Sequence, residues 1–471
     1  MKNQHRNKQR VFESNQQDYI SKLPNSILCN ILSFLKVKEA VKTSVLSSKW
    51  RHTYANPTNL VLDADNMLKG EYTDPNIFLR NVNQYLSRVK NVQKIDKLKV
   101  CSTFSHNNGY TDLDEWIRFA TKRNVEEVDL CLLEENQPIG TSNYGTLYVF
   151  PCDIVGNEGA SASGKSFLKC LRLAHCVLAP HKYHNSGFSK LTTLELLKVD
   201  LKAEVHVHIL LSSCNNLEWL AFSKCYKFEC LKIEHQKLKY LNVNLCAQLK
   251  ALVIHSTSLE TLEYKGCRIK FEFVAPRLKT FFSRVSDSTA CHREVWPFFS
   301  LSVDLPQMES LMLECSCQMG EVMTNRLPTF PSLRHLEVIK VAVKRQDLRW
   351  VAKILNACPM LGRLELHLRT YVCIDEELRE INFPPRCLHN HLKEVTITGV
   401  RGHSSEIAIA IYLLNNAIAL EKMTVDPRGR NYLGNGKWYH SEAENWSTEV
   451  RQKIHKHLEQ QASSAVELLI K

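Results

Sequence analysis

The sequence predicts an α/β protein: a small N-terminal module of three helices, then an irregular solenoid of stacked strand-and-loop repeats with a parallel sheet on its concave face. Two observations predict it. Apolar residues recur at helical spacing between Pro24 and Trp50, and beyond them a short motif, L-x-x-L-x-(apolar), returns many times along the 471-residue chain. A chain this long fits either two to four domains or one extended repeat array. Its 44% hydrophobic content is ample for a core.

Residues 1–17 open with MKNQHRNKQR, a basic stretch with no apolar run behind it, expected to be a flexible tail, a weak nuclear signal at most, and not a signal peptide. No apolar segment is long enough to span a bilayer. These features predict a protein of the nucleus or cytoplasm that is not secreted. Lys plus Arg (61) exceed Asp plus Glu (49), a formal charge of +12. The basic residues are spread along the chain, which favours a solvated surface over a nucleic-acid footprint. Seventeen cysteines in a long chain without a leader are expected to be reduced. None sits in a paired C-x-x-C motif, and Cys315 and Cys317 have no second pair nearby, so neither a metal nor another cofactor is expected.

Residues 18–56 form the helical module. Pro24 suits the first turn of a helix, where its missing amide costs nothing. Ile27, Leu28, Ile31, Leu32 and Leu35 then make an apolar stripe. Ala40, Val41, Ser44 and Val45 make a shorter one, and Ser47 or Ser48 can cap a third helix that carries Trp50. About forty residues are too few to bury this much apolar surface. The module is therefore either a cap on the solenoid or a docking element whose apolar residues await a partner.

The repeats occupy residues 57–384. LKCLRLAHCVL (168–178), LEWLAFSKC (217–225), LKYLNVNLC (238–246) and LETLEYKGC (259–267) share the pattern L-x-x-L-x-(apolar)-x-x-C, and Cys225, Cys246 and Cys267 are 21 residues apart in succession. This is the leucine-rich-repeat pattern. The L-x-L core is a strand with alternate side chains turned inward. The cysteine falls where the chain leaves the strand, and a small buried side chain there can pair with backbone groups. Cys176, Cys225, Cys246 and Cys267 are thus read as structural turn residues. Degenerate copies run from IDKLKVCS (95–102) and VEEVDLCLL (125–133) through LTTLELLKVDL (191–201), LKTFFSRV (278–285), MESLMLECS (308–316), LRHLEVIKV (333–341) and LGRLELHL (361–368) to LKEVTITGV (392–400) and LEKMTVDP (420–427).

One stretch competes with this reading. GASASGKS, Gly159 to Ser166, fits the P-loop pattern G-x-x-x-x-G-K-[ST]. A working P-loop lies between a buried strand and a helix, but here FLKCLRL, a repeat strand, follows directly. The stretch is read as a surface loop, and a P-loop NTPase is disfavoured. Neighbours such as His175-Cys176 and Cys291-His292 project apart, and no G-x-S-x-G or H-E-x-x-H motif occurs. A non-catalytic protein is expected.

LPNSILCNILSFL followed by AVKTSVLSSKWR resembles the F-box of plant F-box proteins, over roughly forty residues. The repeats, including CPMLGRLELHL (358–368), resemble those of the plant F-box/leucine-rich-repeat class. LKEVTITGVRGHSSEIAIAIYLLNNAIALEKMTVDP (392–427), within a region spanning 385–440, resembles the FBD domain that ends many of them. The chain departs from the F-box pattern at Lys36-Val37-Lys38, where a proline turn is usual, and at Tyr54, where a second tryptophan is common.

The resemblance implies a substrate-recognition subunit of an SCF-type cullin-RING ubiquitin ligase. The F-box would dock on the Skp adaptor, and through it on a cullin scaffold, while the repeats hold an unidentified protein substrate. Leu23, Pro24, Ile27, Leu28, Ile31 and Leu35 would face the adaptor, Val41 and Val45 would support that face, and Trp50 would pack the helices together. The alternative is a solenoid that binds an acidic partner or nucleic acid and has a non-functional F-box. At the C-terminus (441–471), Val450, Ile454 and Leu458 predict an amphipathic helix that packs on the last repeats and covers the open end of their core.

Overall fold

The structure, a computed structural model, describes residues 19–20, 22–33, 35, 39, 42–43, 45–46, 49–50, 58–67, 75–102, 109–132, 147–155, 166–180, 186–285, 305–314, 329–341, 349–368, 388–440 and 446–471. The chain divides into two compact units, Met1–Thr141 and Ser142–Lys471.

In the first unit, helix α1 spans Asn25–Ser33. Its first turn follows Pro24, whose carbonyl accepts from the amides of Ile27 (3.0 Å) and Leu28 (3.1 Å). The residues expected to form the turn and most of the second and third helices, including Lys36-Val37-Lys38, Val41 and Tyr54, lie outside the described residues, as does the basic tail. Strands β1 (Asn59–Asp63), β2 (Lys97–Cys101) and β3 (Glu127–Cys131) pair in parallel, β1 on β2 and β2 on β3. Helix α2 (Ala64–Met67) follows β1, α3 (Pro75–Arg88) precedes β2, and α4 (Tyr110–Thr121) precedes β3. Each long helix buries one stripe: Phe78, Val82 and Leu86 on α3, Leu113, Trp116 and Ala120 on α4. Phe78 meets Trp116 edge-on at 6.0 Å, and the Trp116 indole donates to Asn83 Oδ1 at 2.8 Å.

The second unit is a run of parallel strands. In chain order they are β4 (Cys170–Ala174), β5 (Thr193–Leu197), β6 (Trp219–Ser223), β7 (Cys230–Glu234), β8 (Tyr240–Asn244), β9 (Ala251–His255), β10 (Thr261–Gly266) and β11 (Lys270–Val274). Then come β12 (Thr280–Val285), β13 (Ser310–Glu314), β14 (His335–Val341), β15 (Arg363–Leu368), β16 (Glu394–Thr398), β17 (Lys422–Asp426), β18 (Arg430–Gly434), β19 (Lys437–His440) and β20 (Glu467–Ile470). The main sheet runs β4-β5-β6-β8-β10-β12-β13-β14-β15-β16-β17-β20. Nearly all of these strands are the L-x-L segments read from the sequence, and the expected long parallel sheet is present. Leu171, Leu194, Leu220, Leu241 and Leu262 stand in register and are fully buried. The alternate residues of each strand point to the opposite face.

The turn cysteines follow the expected physics in three copies of four. His175, Lys224 and Leu245, each just before its cysteine, have positive φ (52–61°), which swings the chain out of the strand. The Cys225 thiol, behind this turn, donates to the Leu196 carbonyl at 3.3 Å, and burial pushes it well above the usual thiol range. Cys267 is the correction. It is exposed, because β10 runs one residue further, through Gly266, and the Tyr264 ring fills the slot instead. The Tyr264 hydroxyl donates to the Cys267 carbonyl at 2.5 Å, so no thiol is needed inside.

A second sheet was not foreseen. Strands β7, β9 and β11 pair in parallel on the return limbs of the 21-residue copies. Their signal is alternation of apolar residues, Leu231/Ile233, Leu252/Ile254 and Phe271/Phe273, at spacings of 21 and then 19 residues.

Of the P-loop stretch GASASGKS, Gly159–Lys165 lie outside the described residues; residues 166–169 are not helical and lead into β4 at Cys170. The Ser166 hydroxyl is buried and accepts from the Leu168 amide at 3.3 Å.

Helices α5 (Glu204–Ser213), α6 (Arg349–Ala357) and α7 (Ser404–Asn416) lie on connections between strands. Glu406 caps the start of α7, its Oε2 accepting from the amides of Arg401, Gly402 and His403 at 2.8–3.0 Å. The expected C-terminal helix, α8 (Thr448–Glu459), buries Ile454 and Leu458 and packs against α7. It does not close the sheet. Strand β20, unforeseen in the sequence, pairs with β17 and forms the last rung.

Two outcomes are expected. Removing residues 441–471 strips both α8 and β20, bares the β17 edge and leads to aggregation on purification; a soluble truncation with an unchanged melting temperature would show that both are dispensable. Gly399 (φ +74°) holds a left-handed turn where a Cβ would collide with the Leu368 carbonyl. Gly399→Ala is expected to cost at least about 1–2 kcal/mol from the backbone alone, measurable by urea denaturation.

Candidate functional site

The sequence places docking residues on the helical module, and the structure sorts them by face. Leu28 (0% exposed), Leu32 and Trp50 form a buried cluster, with Leu23 packed against it. The Leu23 carbonyl accepts from Lys49 Nζ at 2.6 Å, which ties the chain before α1 to the segment carrying Trp50. Leu28, expected to face a partner, is instead a core residue, since position 28 lies on the face of α1 turned toward Trp50. Ile27 (43%), Ile31 and Leu35 are exposed at four-residue intervals, and Pro24 is exposed beside them. Val45 (80%) and its neighbour Leu46 are also open to solvent, while Val41 is outside the described residues. An open row of branched apolar side chains at helical spacing is the mark of a surface made to be covered.

A second site was not read from the sequence. Across the main sheet, the face opposite the leucines carries the register row Asn242–Glu263–Phe282–Met312–Glu337–Glu365, one residue per strand from β8 to β15. In an open sheet these side chains would face water, yet Glu263, Glu337 and Glu365 are 3–5% exposed. The antiparallel hairpin β18–β19 covers them. The Tyr432 hydroxyl donates to Glu263 Oε1 (2.5 Å), and the Asn435 amide donates to Glu263 Oε2 (3.0 Å). Asn435 Oδ1 accepts from the Tyr240 hydroxyl and the Asn242 amide, both at 2.9 Å. Arg430 reaches Glu365 Oε2 at 3.0 Å, and its guanidinium lies over the Trp438 ring at 4.1 Å.

Beneath the hairpin, buried His367 donates from Nε2 to Glu337 Oε1 at 2.6 Å, and His335 Nε2 lies 3.2 Å from Glu365 Oε1. Burial alone would raise the Glu365 carboxyl, but the hydrogen bond from His335 and the nearby charges of Arg363, His335 and His367 hold it down at about 2. Burial and the bond to Glu263 push the Tyr432 phenol up, so it stays a donor. His335, Glu337 and Glu365 bring donor atoms within 4.8 Å of one another, a spacing suited to a metal ion. The Glu365 carboxylate, however, is engaged by two guanidinium groups, Arg363 at 2.8 Å and Arg430 at 3.0 Å, and Glu337 by His367 at 2.6 Å, so the positive charge a cation would bring is already supplied. Each imidazole also bridges a hydroxyl and a carboxylate: Ser310 Oγ lies 3.4 Å from His335 Nδ1, whose Nε2 faces Glu365, and Thr398 Oγ1 lies 2.8 Å from His367 Nδ1, whose Nε2 faces Glu337.

The Glu365 shift sets an acid limit. A carboxyl held below its ordinary 4.5 contributes stability that is present above that value and lost as pH falls from about 4.5 toward 2. In urea melts across that range, Glu365→Gln is expected to be less stable than wild type at pH 7, with the gap closing as pH drops. A constant gap would show that Glu365 carries no linked charge.

Comparison with known proteins adds two family matches. The F-box domain family matches residues 20–53, and the family described as "At1g61320/AtMIF1, LRR domain" matches residues 88–471. Among relatives from Arabidopsis thaliana, an FBD-associated F-box protein is 24% identical over 88% of both chains. An F-box/LRR-repeat protein is 26% identical over 88% of this chain and 71% of its own. An F-box/FBD/LRR-repeat protein is 29% identical over 51% of each chain. Among the described residues, no helix is long and apolar enough to cross a membrane.

Proposed function

The chain belongs to the F-box/leucine-rich-repeat family, and on that footing we propose that it is the substrate-recognition subunit of an SCF-type cullin-RING ubiquitin ligase. The F-box binds the Skp adaptor, the adaptor links to the cullin scaffold, and the repeats hold a protein target. The observation that carries this reading is the pair of exposed residues Ile27 and Ile31 on α1, with exposed Leu35 just beyond its end, on a helix whose other face is already packed on Trp50. The F-box match falls on these same residues. The chain needs no chemistry of its own, since a receptor works by raising the target's effective concentration near the transferring enzyme. We assign it to the nucleus or cytoplasm, where such ligases act.

Capture on an immobilised Skp adaptor tests the reading. Ile27→Ala with Ile31→Ala is expected to weaken the complex by about 2–4 kcal/mol, because central apolar anchors carry much of an interface's energy, while leaving the melting temperature unchanged. Leu28→Ala is expected to behave differently, costing about 2–5 kcal/mol of folding stability as a buried truncation. Lys165→Ala should alter neither. Wild type that ignores the adaptor but binds ATP through Lys165 would sink the proposal, as would salt-steep RNA or DNA binding without adaptor capture.

A further inference from the structure

We propose that the sheet face beneath β18–β19 is a recognition surface for an extended protein segment with an arginine and a tyrosine two residues apart, and that the hairpin is its resident stand-in. The proposal rests on the receptor reading above and adds the chemistry of the target and a means of gating access to it.

The first argument is the cost of the carboxylates. Glu263, Glu337 and Glu365 stand where an ordinary repeat would turn any side chain to water, and nothing in the leucine layer requires acids there. Covering three carboxylates is unfavourable unless each is paired. The hairpin supplies much of that pairing: Tyr432 and Asn435 for Glu263, and Arg430 for Glu365 with Glu337 at 4.0 Å. These contacts join residues 65–195 apart in sequence, unlike the repeat-to-repeat bonds 21–31 apart that hold the sheet itself. The face is therefore complete as a sheet without the hairpin and complementary to a segment of the hairpin's chemistry.

The second argument is that the resident fits imperfectly. Arg430 Nε and Asn244 Oδ1 are both buried without a hydrogen-bond partner. A cavity of about 20 Å³ lies under the hairpin tip, between Asn244 and Glu314 on one side and Leu433 and Gly434 on the other. A competing segment whose own arginine is fully paired, that donates to Asn244 Oδ1 and that fills this space, binds better than the hairpin does.

The third argument is that the hairpin can leave as a unit. It has two short strands joined through Gly434, Asn435 and Gly436, all at positive φ, and its far side exposes Leu433 and Tyr439. An isolated two-stranded hairpin has little stability of its own, so its order depends on the face it covers. Within β18, Arg430 and Tyr432 are two residues apart and share one face, which defines the spacing a target must present.

The test uses the full-length chain with residues 429–440 replaced by a Gly-Ser segment, and a fluorescent synthetic peptide spanning residues 428–441. Fluorescence anisotropy is expected to show the peptide binding the replaced chain at least tenfold more tightly than the intact chain. Changing the peptide's arginine at position 430 to glutamate and its tyrosine at 432 to phenylalanine should abolish that preference. Equal binding to both chains would overturn the proposal, provided the replaced chain is folded by circular dichroism. Should replacement prevent folding, the intact chain with Arg430→Ala and Tyr432→Phe serves instead. There, amides of 430–440 should exchange faster while those of β14 and β15 stay protected. Unchanged exchange in the hairpin would mark it as a permanent part of the fold and sink the idea. Adaptor capture measured on the same samples keeps the questions apart: its loss in the intact chain strikes the receptor reading, whereas a failed peptide arm strikes only this inference.

Discussion

No repeat in this protein can bury its own leucines. A strand of five or six residues turns two or three apolar side chains inward, and they reach 0% exposure only because the next strand sets its own leucine in register beside them. Everything else follows from that constraint. Strands must be parallel, since each repeat returns to the same edge before starting again. Connections can vary in length, because only the strand is in the ladder. The last rung needs a partner, which is why β20 returns to β17 after α8 has already packed on α7.

The same constraint explains what could be read from residues alone. The L-x-L strands were legible because the interior demands leucine at fixed offsets, and even the weak LKTFFSRV appears as β12. The turn cysteines were legible where the chain leaves the strand through a left-handed residue. They failed at Cys267, where Tyr264 supplies from within the strand the bulk that the thiol would have given. Of the return-limb strands, β7 and β11 lack the L-x-x-L signature, and the three share with β9 only an apolar alternation, spaced 21 and then 19 residues apart.

The functional surfaces divide along the same line. On α1, helical spacing marks an apolar stripe but not which half of it another helix takes. Ile27 and Leu28 are equivalent to a periodicity argument, and only Trp50 separates them. The acidic row was harder to see. Glu263, Glu337 and Glu365 lie in separate repeats, and in sequence each is an ordinary polar residue between two leucines. Strand register aligns them, and a hairpin from the far end of the chain covers them. Neither relation leaves a local trace.

Those carboxylates also show how a repeat protein separates stability from recognition. The leucine face is fixed by packing, and a change there costs folding. The opposite face can carry charged side chains without disturbing the ladder's hydrogen bonds, and once covered its pairs add stability of their own, as at Glu365. Acids placed in water on that face cost little; once covered, they demand donors of fitted geometry. Glu263 receives a phenol and a backbone amide, Glu365 two guanidiniums and an imidazole. A cover made of unmatched residues would leave those charges unpaired and be expelled. The row therefore acts as a filter, admitting segments that bring donors in the right places and rejecting apolar or acidic ones by their desolvation cost alone.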